Sequence, residues 1–440
     1  MATFMFARRL RSPVRVDLVL NSDCNHACSH CYNPWRNKNS ESLSLNESLF
    51  PHKLDYIVDE LVNSRVWSVV LTGGEPLLHP KELFYAIDLL RANQISMCLN
   101  TNLTCFTDKL ACQLVKEHNW DNMVLASLPS TNSDMCDRIT HVSGSFNAIM
   151  KGLDVCHRNG IRVGINTVIT RENFQDLANY ASFINEHPVE YLSISIVIPP
   201  VYDARNEAYY LTGEDIRHIA DTLLDIKGKC GIEIGSVTPL PLCLLLDADK
   251  YLSVLNTMCL AGISKCSIHI VDGRVTACAH EDNSYGNIYT DGLATCWQKM
   301  AKWNDISHLP NECQDCKWLF LCGGECRMMR RKCCMEPLYQ LNNQAPILFR
   351  GKNETAFCLP EDHETLRISS SLRIRKENDG YLIRTGHLET RLSDRLWALC
   401  NYLRGMRCFT MRDIWNVINH DEQAEQILKL LFTRSIVVKE

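Results

Sequence analysis

The chain has 440 residues, a formal net charge of −5, 46% hydrophobic residues and 22% charged residues. This length is enough for about three domains of roughly 150 residues each, and the composition excludes wholesale disorder. The acidic balance argues against a protein that binds nucleic acid by neutralising its phosphates. No run of about 18 apolar residues is present, so the sequence predicts no membrane-spanning helix.

The chain contains 23 cysteines. The arginines near its start follow a very short apolar stretch, which is the wrong order and length for a secretory signal. We therefore expect a cytoplasmic protein with reduced thiols, used for metal ligation, catalysis or packing. Ten cysteines stand singly in periodic apolar segments and are predicted to pack as small hydrophobic residues: Cys98, Cys105, Cys112, Cys136, Cys156, Cys230, Cys243, Cys296, Cys400 and Cys408.

Strand-like and helix-like segments alternate through the first half of the chain. Strands are predicted at 14–20, 67–71, 95–99, 123–127, 162–169 and 191–198. Helices are predicted at 49–63, 81–93, 108–118, 146–159, 174–186 and 213–227. Six such units predict an α/β fold, an open and partial (β/α)6 barrel of the TIM type over residues 1–230. In this architecture the loops that follow the strands line the active-site face.

Two of these loops carry residues suited to a cofactor. Three cysteines with the spacing C-x3-C-x2-C follow the first strand: Cys24, Cys28 and Cys31. Three thiolates can hold three irons of a [4Fe–4S] cube and leave the fourth iron open to a small-molecule ligand. Zinc is the alternative, although structural zinc needs four ligands and favours paired C-x2-C spacings. The second strand is followed by two glycines, which permit a close backbone approach, and by a carboxylate that can bind an ammonium group: Gly73, Gly74 and Glu75.

The cysteine triplet and the Gly-Gly-Glu-Pro sequence together resemble the radical S-adenosylmethionine (SAM) superfamily over the first two hundred residues; Tyr32, after the third cysteine, fits this pattern. The resemblance implies that SAM chelates the open iron and that Glu75 and the adjoining backbone hold its methionyl ammonium. It also implies that Asn102, Ser127 and Arg138 contact the ribose or the methionyl carboxylate. Polar residues at strand ends also satisfy backbone groups, which is the alternative for these three. The reduced cluster would cleave SAM to a 5′-deoxyadenosyl radical that abstracts hydrogen.

A cysteine-rich region with many loops is expected over residues 231–361, where bound metal would stabilise the fold. Its spacings, C-x13-G-x4-C and C-x2-C-x5-C-x3-C, resemble the SPASM domain, which carries auxiliary iron–sulfur clusters in peptide-modifying radical SAM enzymes. The resemblance implies one auxiliary cluster on Cys259, Cys266, Cys278 and Cys326. It implies another on Cys313, Cys316, Cys322 and Cys358, with Cys333 or Cys334 as the alternative closing ligand. The expected cofactors are thus three [4Fe–4S] clusters and SAM. Nearby histidines are predicted to be surface or packing residues: His269, His280 and His308.

Residues 362–440 are predicted to form a winged-helix-like domain. Segments 372–375 and 380–384 flank the hairpin turn Asn378-Asp379-Gly380, and segment 436–438 closes the chain as a strand. Three helices are expected to start at Ser393, Thr410 and Asp421. This order resembles the PqqD-like recognition element of ribosomal peptide biosynthesis. The resemblance implies that an exposed strand edge such as 372–375 accepts a leader peptide as an added strand. The alternative is an appendage used for dimerisation or domain packing.

Together these resemblances imply a radical SAM oxidoreductase that modifies a ribosomally made precursor peptide. A link between side chains (cyclophane, another C–C bond or thioether) is the expected product. A folded protein such as an anaerobic sulfatase is the alternative substrate. An electron carrier or a zinc scaffold is the alternative of another class, although neither needs the glycine loop. The expected partners are the precursor peptide and a reductant such as flavodoxin or ferredoxin, without nucleic acid or membrane. No catalytic residue beyond the cofactor is identified, although Asp203 and Arg205, after the sixth strand, are well placed to exchange a proton.

Overall fold

A computed structural model describes most of the chain. The described residues are 9–33, 49–198, 211–240, 243, 245, 248–251, 253–255, 258–304, 309, 311–314, 316, 319–324, 326–328, 360–361, 363–385, 388–418 and 422–440. Two compact units are present, Met1–Ile347 and Leu348–Glu440. The first unit contains the predicted barrel and most of the predicted cysteine-rich region. Within the described residues, no helix combines the length and the apolar character needed to cross a membrane.

A nine-stranded sheet forms the centre of the first unit, in the order β7-β6-β5-β4-β3-β2-β1-β8-β9. Every neighbouring pair is parallel except β8 with β9. The strands are β1 Arg15–Val19, β2 Ser68–Thr72, β3 Ser96–Thr101, β4 Met123–Ser127, β5 Val163–Ile169, β6 Tyr191–Ile196, β7 Glu233–Ser236, β8 Lys265–His269 and β9 Val275–Thr276. The predicted open, partial barrel is confirmed, and the structure adds β7, β8 and β9 to the six predicted strands.

Helices connect the strands of this sheet. They are α1 Phe50–Asn63, α2 Pro80–Ala92, α3 Asp108–Cys112, α4 Ser133–Thr140, α5 Ser145–Arg158, α6 Tyr180–Glu186, α7 Gly213–Cys230, α8 Ala248–Tyr251, α9 Ile288–Lys299, α10 Asn311–Gln314 and α11 Leu319–Cys322. Thr212 caps α7 in a capping box with Asp215. Helix α4 was not predicted; the Asn132 side chain caps it by accepting a hydrogen bond from the Met135 N–H. Short turns of other helix types occur at Pro76–Leu78, Gln113–Glu117, Phe174–Asn179 and Met300–Asn304.

Alternation along β1 separates the two faces of the sheet. Val16 and Leu18 are fully buried, whereas Arg15 is exposed and Asp17 is half-buried. Successive residues of a strand point to opposite faces. The apolar residues therefore belong to the covered face, and the charged residues belong to the inner face of the open barrel.

In its described residues, the second unit contains two small sheets and three helices. Strand β10 Leu366–Ile368 pairs with β14 Val437–Lys439, and β11 Arg373–Glu377, β12 Gly380–Thr385 and β13 Leu388–Leu392 form the other sheet in that order. The helices are α12 Asp394–Gly405, α13 Met411–Trp415 and α14 Glu422–Thr433. The hairpin, the helix caps at Ser393 and Thr410 and the closing strand are confirmed. Strands β10 and β13 were not predicted.

The predicted packing role of the single cysteines holds for most of them. Cys136, Cys156, Cys296 and Cys400 are buried, and the others except Cys408 are half-buried. Cys408 is exposed, so the prediction is wrong there. It lies in the turn between α12 and α13, where its residue neighbours Met406 and Arg407 are also exposed.

Candidate active site

The first cysteine loop lies against the glycine loop. Strands β1 and β2 are parallel neighbours, so the loops that leave their carboxyl ends meet at one edge of the sheet. The Gly74 N–H donates to the carbonyl oxygen of Asn21 at 2.9 Å, and the Glu75 N–H donates to that of Asp23 at 2.6 Å. These two backbone hydrogen bonds fasten the start of the cysteine loop to the glycine loop.

Both glycines are required by this close approach. A Cβ atom added at Gly73 would lie 2.6 Å from the carbonyl oxygen of Asn21. One added at Gly74 would lie 2.0 Å from the carbonyl oxygen of Asp23. These neighbours are backbone atoms and cannot rotate away as a side chain can. Only glycine fits at either position without displacing the cysteine loop.

Glu75 is almost completely buried, with 1% of its surface exposed. Its carboxylate accepts hydrogen bonds from the Thr101 hydroxyl at 2.7 Å, the Asn102 N–H at 2.7 Å and the Leu77 N–H at 3.0 Å. Burial raises the pKa of Glu75 above its ordinary value, and these three hydrogen bonds oppose the shift. A carboxylate has about four acceptor sites, so the chain leaves about one of them for a further donor.

The Asn102 side chain joins the third strand to the cysteine loop. Its amide nitrogen lies 2.8 Å from the Asn25 side-chain oxygen and 3.9 Å from the sulfur of Cys24. Its amide oxygen accepts from the Thr104 N–H at 3.0 Å and from the Thr104 hydroxyl at 2.7 Å. Asn102 therefore holds the cysteine loop in place through contacts within the chain.

Ser127 and Arg138 lie on the next part of the same edge. Ser127 is the last residue of β4 and is exposed. Arg138, on α4, donates from Nε to a carboxylate oxygen of Glu172 at 2.6 Å and is more than half exposed. The structure thus brings Gly73, Gly74, Glu75 and Asn102 to the cysteine loop, whereas Ser127 lies at the end of β4 and Arg138 on α4.

The donor set of this loop fits an iron–sulfur cube. Cys24, Cys28 and Cys31 are partly exposed thiols that form no disulfide, and the glycines let the second loop pack closely against theirs. In the part of the chain that the structure describes, no three His, Cys, Asp or Glu side chains converge as ligands of a single metal ion. The thiolates of a cube each bind a different iron, so they stand farther apart than the ligands of one ion.

The second cysteine set contains a group of three thiols from distant segments. The pKa of Cys278 is raised by burial and then by the neighbouring Cys259 and Cys326 thiols. Cys266, on β8, has other neighbours. Burial, and then the nearby Asp17 and Cys296, raise the pKa of its thiol. Cys313, Cys316 and Cys322 lie on or beside the short helices α10 and α11.

The remaining predicted residues of this region lie outside the described part of the chain: Cys333, Cys334, Cys358 and His308. Asp203 and Arg205 also fall outside it.

An aromatic contact joins the two cysteine sites. The Tyr32 ring, next to Cys31, lies against the His280 ring, two residues after Cys278, with 4.1 Å between ring centroids. Burial, and secondarily the Cys31 thiol, raise the pKa of Tyr32. His280, predicted to be a surface or packing residue, thus packs at the junction of the two sites.

Several residues that fasten the site were not predicted. Asn21 accepts from the Gly74 N–H through its side chain as well as its backbone, and the Asp23 carboxylate lies 2.9 Å from the ring of His79. Thr101 and Asn25 bind Glu75 and Asn102. Thr101 ends a strand and Asn21 closely follows one, a place that many polar loop residues share, and the other residues carry no sequence signal.

Comparison with known proteins identifies the class of this site. Residues 18–184 match the model of the Radical SAM superfamily. This stretch contains the cysteine triplet, the glycine loop, Asn102, Ser127 and Arg138. Residues 18–184 are therefore a radical SAM domain, which binds SAM and a [4Fe–4S] cluster, and the protein is an enzyme.

Longer similarities extend beyond that domain. The chain is 24% identical over 343 residues to a serine-type anaerobic sulfatase-maturating enzyme of Bacteroides thetaiotaomicron, covering 69% of this chain and 80% of the relative. It is 27% identical over 329 residues to the mycofactocin maturase MftC of Mycolicibacterium smegmatis, covering 73% and 80%. The crystal structure of Streptococcus suis SuiB bound to S-adenosylmethionine matches with a TM-score of 0.57 at 16% identity, covering 73% of this chain and 74% of SuiB. SuiB has also been solved bound to its precursor peptide SuiA. The likeness to SuiB supports the fold.

Proposed function

We propose that this enzyme holds a [4Fe–4S] cluster on Cys24, Cys28 and Cys31 and modifies a ribosomally made precursor peptide at an unactivated C–H bond. When bound, the cluster and SAM supply a 5′-deoxyadenosyl radical. One observation carries the proposal: the cysteine loop is fastened to the glycine loop through the N–H groups of Gly74 and Glu75. A cosubstrate bound to the open iron therefore meets the glycine loop directly.

The chain's own residues would orient SAM in this proposal. The free acceptor site of Glu75 would take a hydrogen bond from the methionyl ammonium, in a pocket where burial strengthens the interaction. The exposed Ser127 would form a hydrogen bond with the ribose. Arg138 would bind the ribose or the methionyl carboxylate, while Glu172 accepts the hydrogen bond from its Nε. The second cysteine set would carry auxiliary clusters that transfer electrons or support the fold.

The names of the relatives support a peptide as the substrate. MftC is a mycofactocin maturase, and SuiB has been crystallised with its precursor peptide. A link between side chains of the peptide is the proposed product. The sulfatase-maturating relative favours the second candidate, in which a folded sulfatase is modified. A reductant such as flavodoxin or ferredoxin would supply the electron. The proposed location is the cytoplasm, which keeps thiols reduced.

Mass spectrometry of a precursor peptide tests the proposed reaction. We expect the anaerobically reconstituted protein, given SAM and a reductant, to form 5′-deoxyadenosine and to yield a peptide lighter by two hydrogen atoms. Cys28→Ala removes one of the three thiolates and should abolish both products. Cys112→Ala, at the end of α3, is the matched control and should retain them. Equal 5′-deoxyadenosine formation by Cys28→Ala would contradict the proposal, and modification of a sulfatase alone would favour the second candidate.

The second unit offers a strand edge for the leader peptide. Strand β11 pairs with β12, and among the described strands it has no other neighbour. Glu377 pairs with Gly380, so Asn378 and Asp379 form a two-residue turn. Hydrogen-bonded pairs alternate outward from such a turn, beginning with the closing pair. The backbone N–H of Lys376 therefore points away from β12, toward an added strand. We propose that the leader peptide binds along this edge.

A proline at Lys376 tests the edge. Lys376→Pro removes the outward N–H, whereas Lys376→Ala keeps it and removes the same ammonium, which lies beside Asp394 and over the Tyr381 ring. We expect Lys376→Pro to weaken binding of a fluorescent precursor peptide by about tenfold, the value of a lost backbone hydrogen bond. Lys376→Ala should bind like the unmodified chain. Equal affinity for both variants would place the leader elsewhere.

A further inference from the structure

The register of β1 with β8 fixes which way the cysteine on β8 points. Val16 pairs with Cys266 and Asp17 pairs with Ser267. Paired residues on neighbouring strands point to the same face, and successive residues point to opposite faces. Cys266 therefore shares the covered face with Val16, whereas Lys265 and Ser267 share the inner face with Asp17. The ion pair between the Lys265 ammonium and the Asp17 carboxylate, at 3.6 Å, agrees with this assignment.

The covered face holds Cys266 within the apolar core. Cys266 has no exposed surface, and Cys296, from α9, is also fully buried. Burial, then the Asp17 carboxylate and the Cys296 thiol, raise the pKa of the Cys266 thiol, whereas Lys265 and Arg9 lower it. Helix α9 is joined to α1 by a hydrogen bond from the Leu293 N–H to the Glu60 carboxylate at 2.6 Å. The Cys266 thiol is thus enclosed by the helical layer.

Lys265 and Ser267 are residues of β8 on the inner face. The Asp17 carboxylate raises the pKa of Lys265 against the effect of burial, and the Cys259 and Cys278 thiols raise it further. Burial, and then the Cys259 and Cys326 thiols, raise the pKa of Cys278. The Ser267 hydroxyl is buried on this face without a hydrogen-bond partner among the described residues. Buried hydroxyls usually have a hydrogen-bond partner, so a bound group could supply the acceptor for this one. The Lys265 ammonium and this hydroxyl therefore lie on the same side of β8.

We infer that Cys266 is a packing residue and not a ligand of the auxiliary cluster proposed for this region, whose thiolates come from Cys259, Cys278 and Cys326. The inference rests on the proposed presence of an auxiliary cluster in this region. To reach the inner face, Cys266 would need a one-residue shift of β8. That shift would turn every side chain of the strand over and bury Lys265 and Ser267 in the helical layer. The fourth iron of this cube takes a ligand other than Cys266.

Iron content distinguishes the two ligand sets. After anaerobic reconstitution of the full chain, Cys278→Ala is expected to lose about four irons per chain relative to the unmodified protein, the content of one cube. Cys266→Ala is expected to keep its iron and its electron paramagnetic resonance spectrum. Cys296→Ala, which empties the same volume in the same core, is the matched control. Both core variants should melt a few degrees lower than the unmodified chain.

Loss of about four irons in Cys266→Ala, with Cys296→Ala unchanged, would overturn the inference. Unchanged iron in Cys278→Ala would also overturn it. If Cys266→Ala fails to fold, Cys266→Val fills the same volume and is expected to retain all the iron. Failure of the proposed reaction is detected separately, by absence of 5′-deoxyadenosine in an unmodified chain with full iron content.

Discussion

A Gly74→Ala variant is expected to lose the cluster on Cys24, Cys28 and Cys31 and to form 5′-deoxyadenosine at least about a hundredfold more slowly. A displacement of about 1 Å in a reacting group has an effect of that size. The added Cβ atom would lie 2.0 Å from the carbonyl oxygen of Asp23 and 2.4 Å from its carbonyl carbon. Both are backbone atoms, so the whole segment must move. That movement breaks the hydrogen bond from the Glu75 N–H to Asp23 and shifts Cys24, the next residue.

Gly228→Ala is the matched control for this substitution. Gly228 lies inside α7, and no atom lies within 4 Å of the position of an added Cβ. Alanine there should stabilise the helix by up to about 1 kcal/mol and leave iron content and product unchanged. Iron per chain and 5′-deoxyadenosine measured by chromatography check both variants. Full iron and full product in Gly74→Ala would show that the cysteine loop does not depend on the close approach.

The barrel was predictable because each of its first six units repeats the same strong pattern. The strand at 123–127 was predicted with the bounds that the structure gives to β4. Strand β7 was missed because it has only four residues, and Ile234 is the one large apolar side chain among them. Strand β8 was missed because Lys265, Ser267 and His269 interrupt its apolar pattern. Strand β7 is held by pairing with the longer β6, and β8 is held by pairing with β1 along its whole length. Both are tertiary effects that the local pattern does not contain.

The site was predictable where chemistry demands rare residues at fixed spacing. The cysteine triplet and the glycine pair meet that demand, and the structure places them together. Asn21 and Asn25 fasten the loop by hydrogen bonds with partners more than fifty residues away, which spacing cannot reveal. Cys266 shows that spacing alone does not identify a ligand. Its spacing fits a ligand pattern, but the face on which its thiol lies depends on the register between β1 and β8.

Glu75→Gln is expected to lower both the stability of the apoprotein and the affinity of the protein for SAM. The glutamine side chain has one acceptor oxygen, whereas three donors converge on the two oxygens of Glu75. At least one buried N–H, that of Leu77 or Asn102, would face an amide NH2 and lose its partner. An unsatisfied buried donor costs about 1–3 kcal/mol, so the free energy of unfolding should fall by that amount.

The lost charge has a separate consequence for SAM. If the remaining acceptor site of Glu75 binds the methionyl ammonium, a neutral amide should weaken SAM binding by about tenfold to a hundredfold, since charge-assisted hydrogen bonds contribute about 1.5–3 kcal/mol. Glu117→Gln makes the same chemical change at an exposed position and should alter neither property. Denaturant unfolding of the apoprotein and calorimetric titration with SAM measure the two effects independently. A less stable Glu75→Gln protein that binds SAM normally would restrict Glu75 to fastening the loops, whereas weaker binding at unchanged stability would restrict it to the cosubstrate.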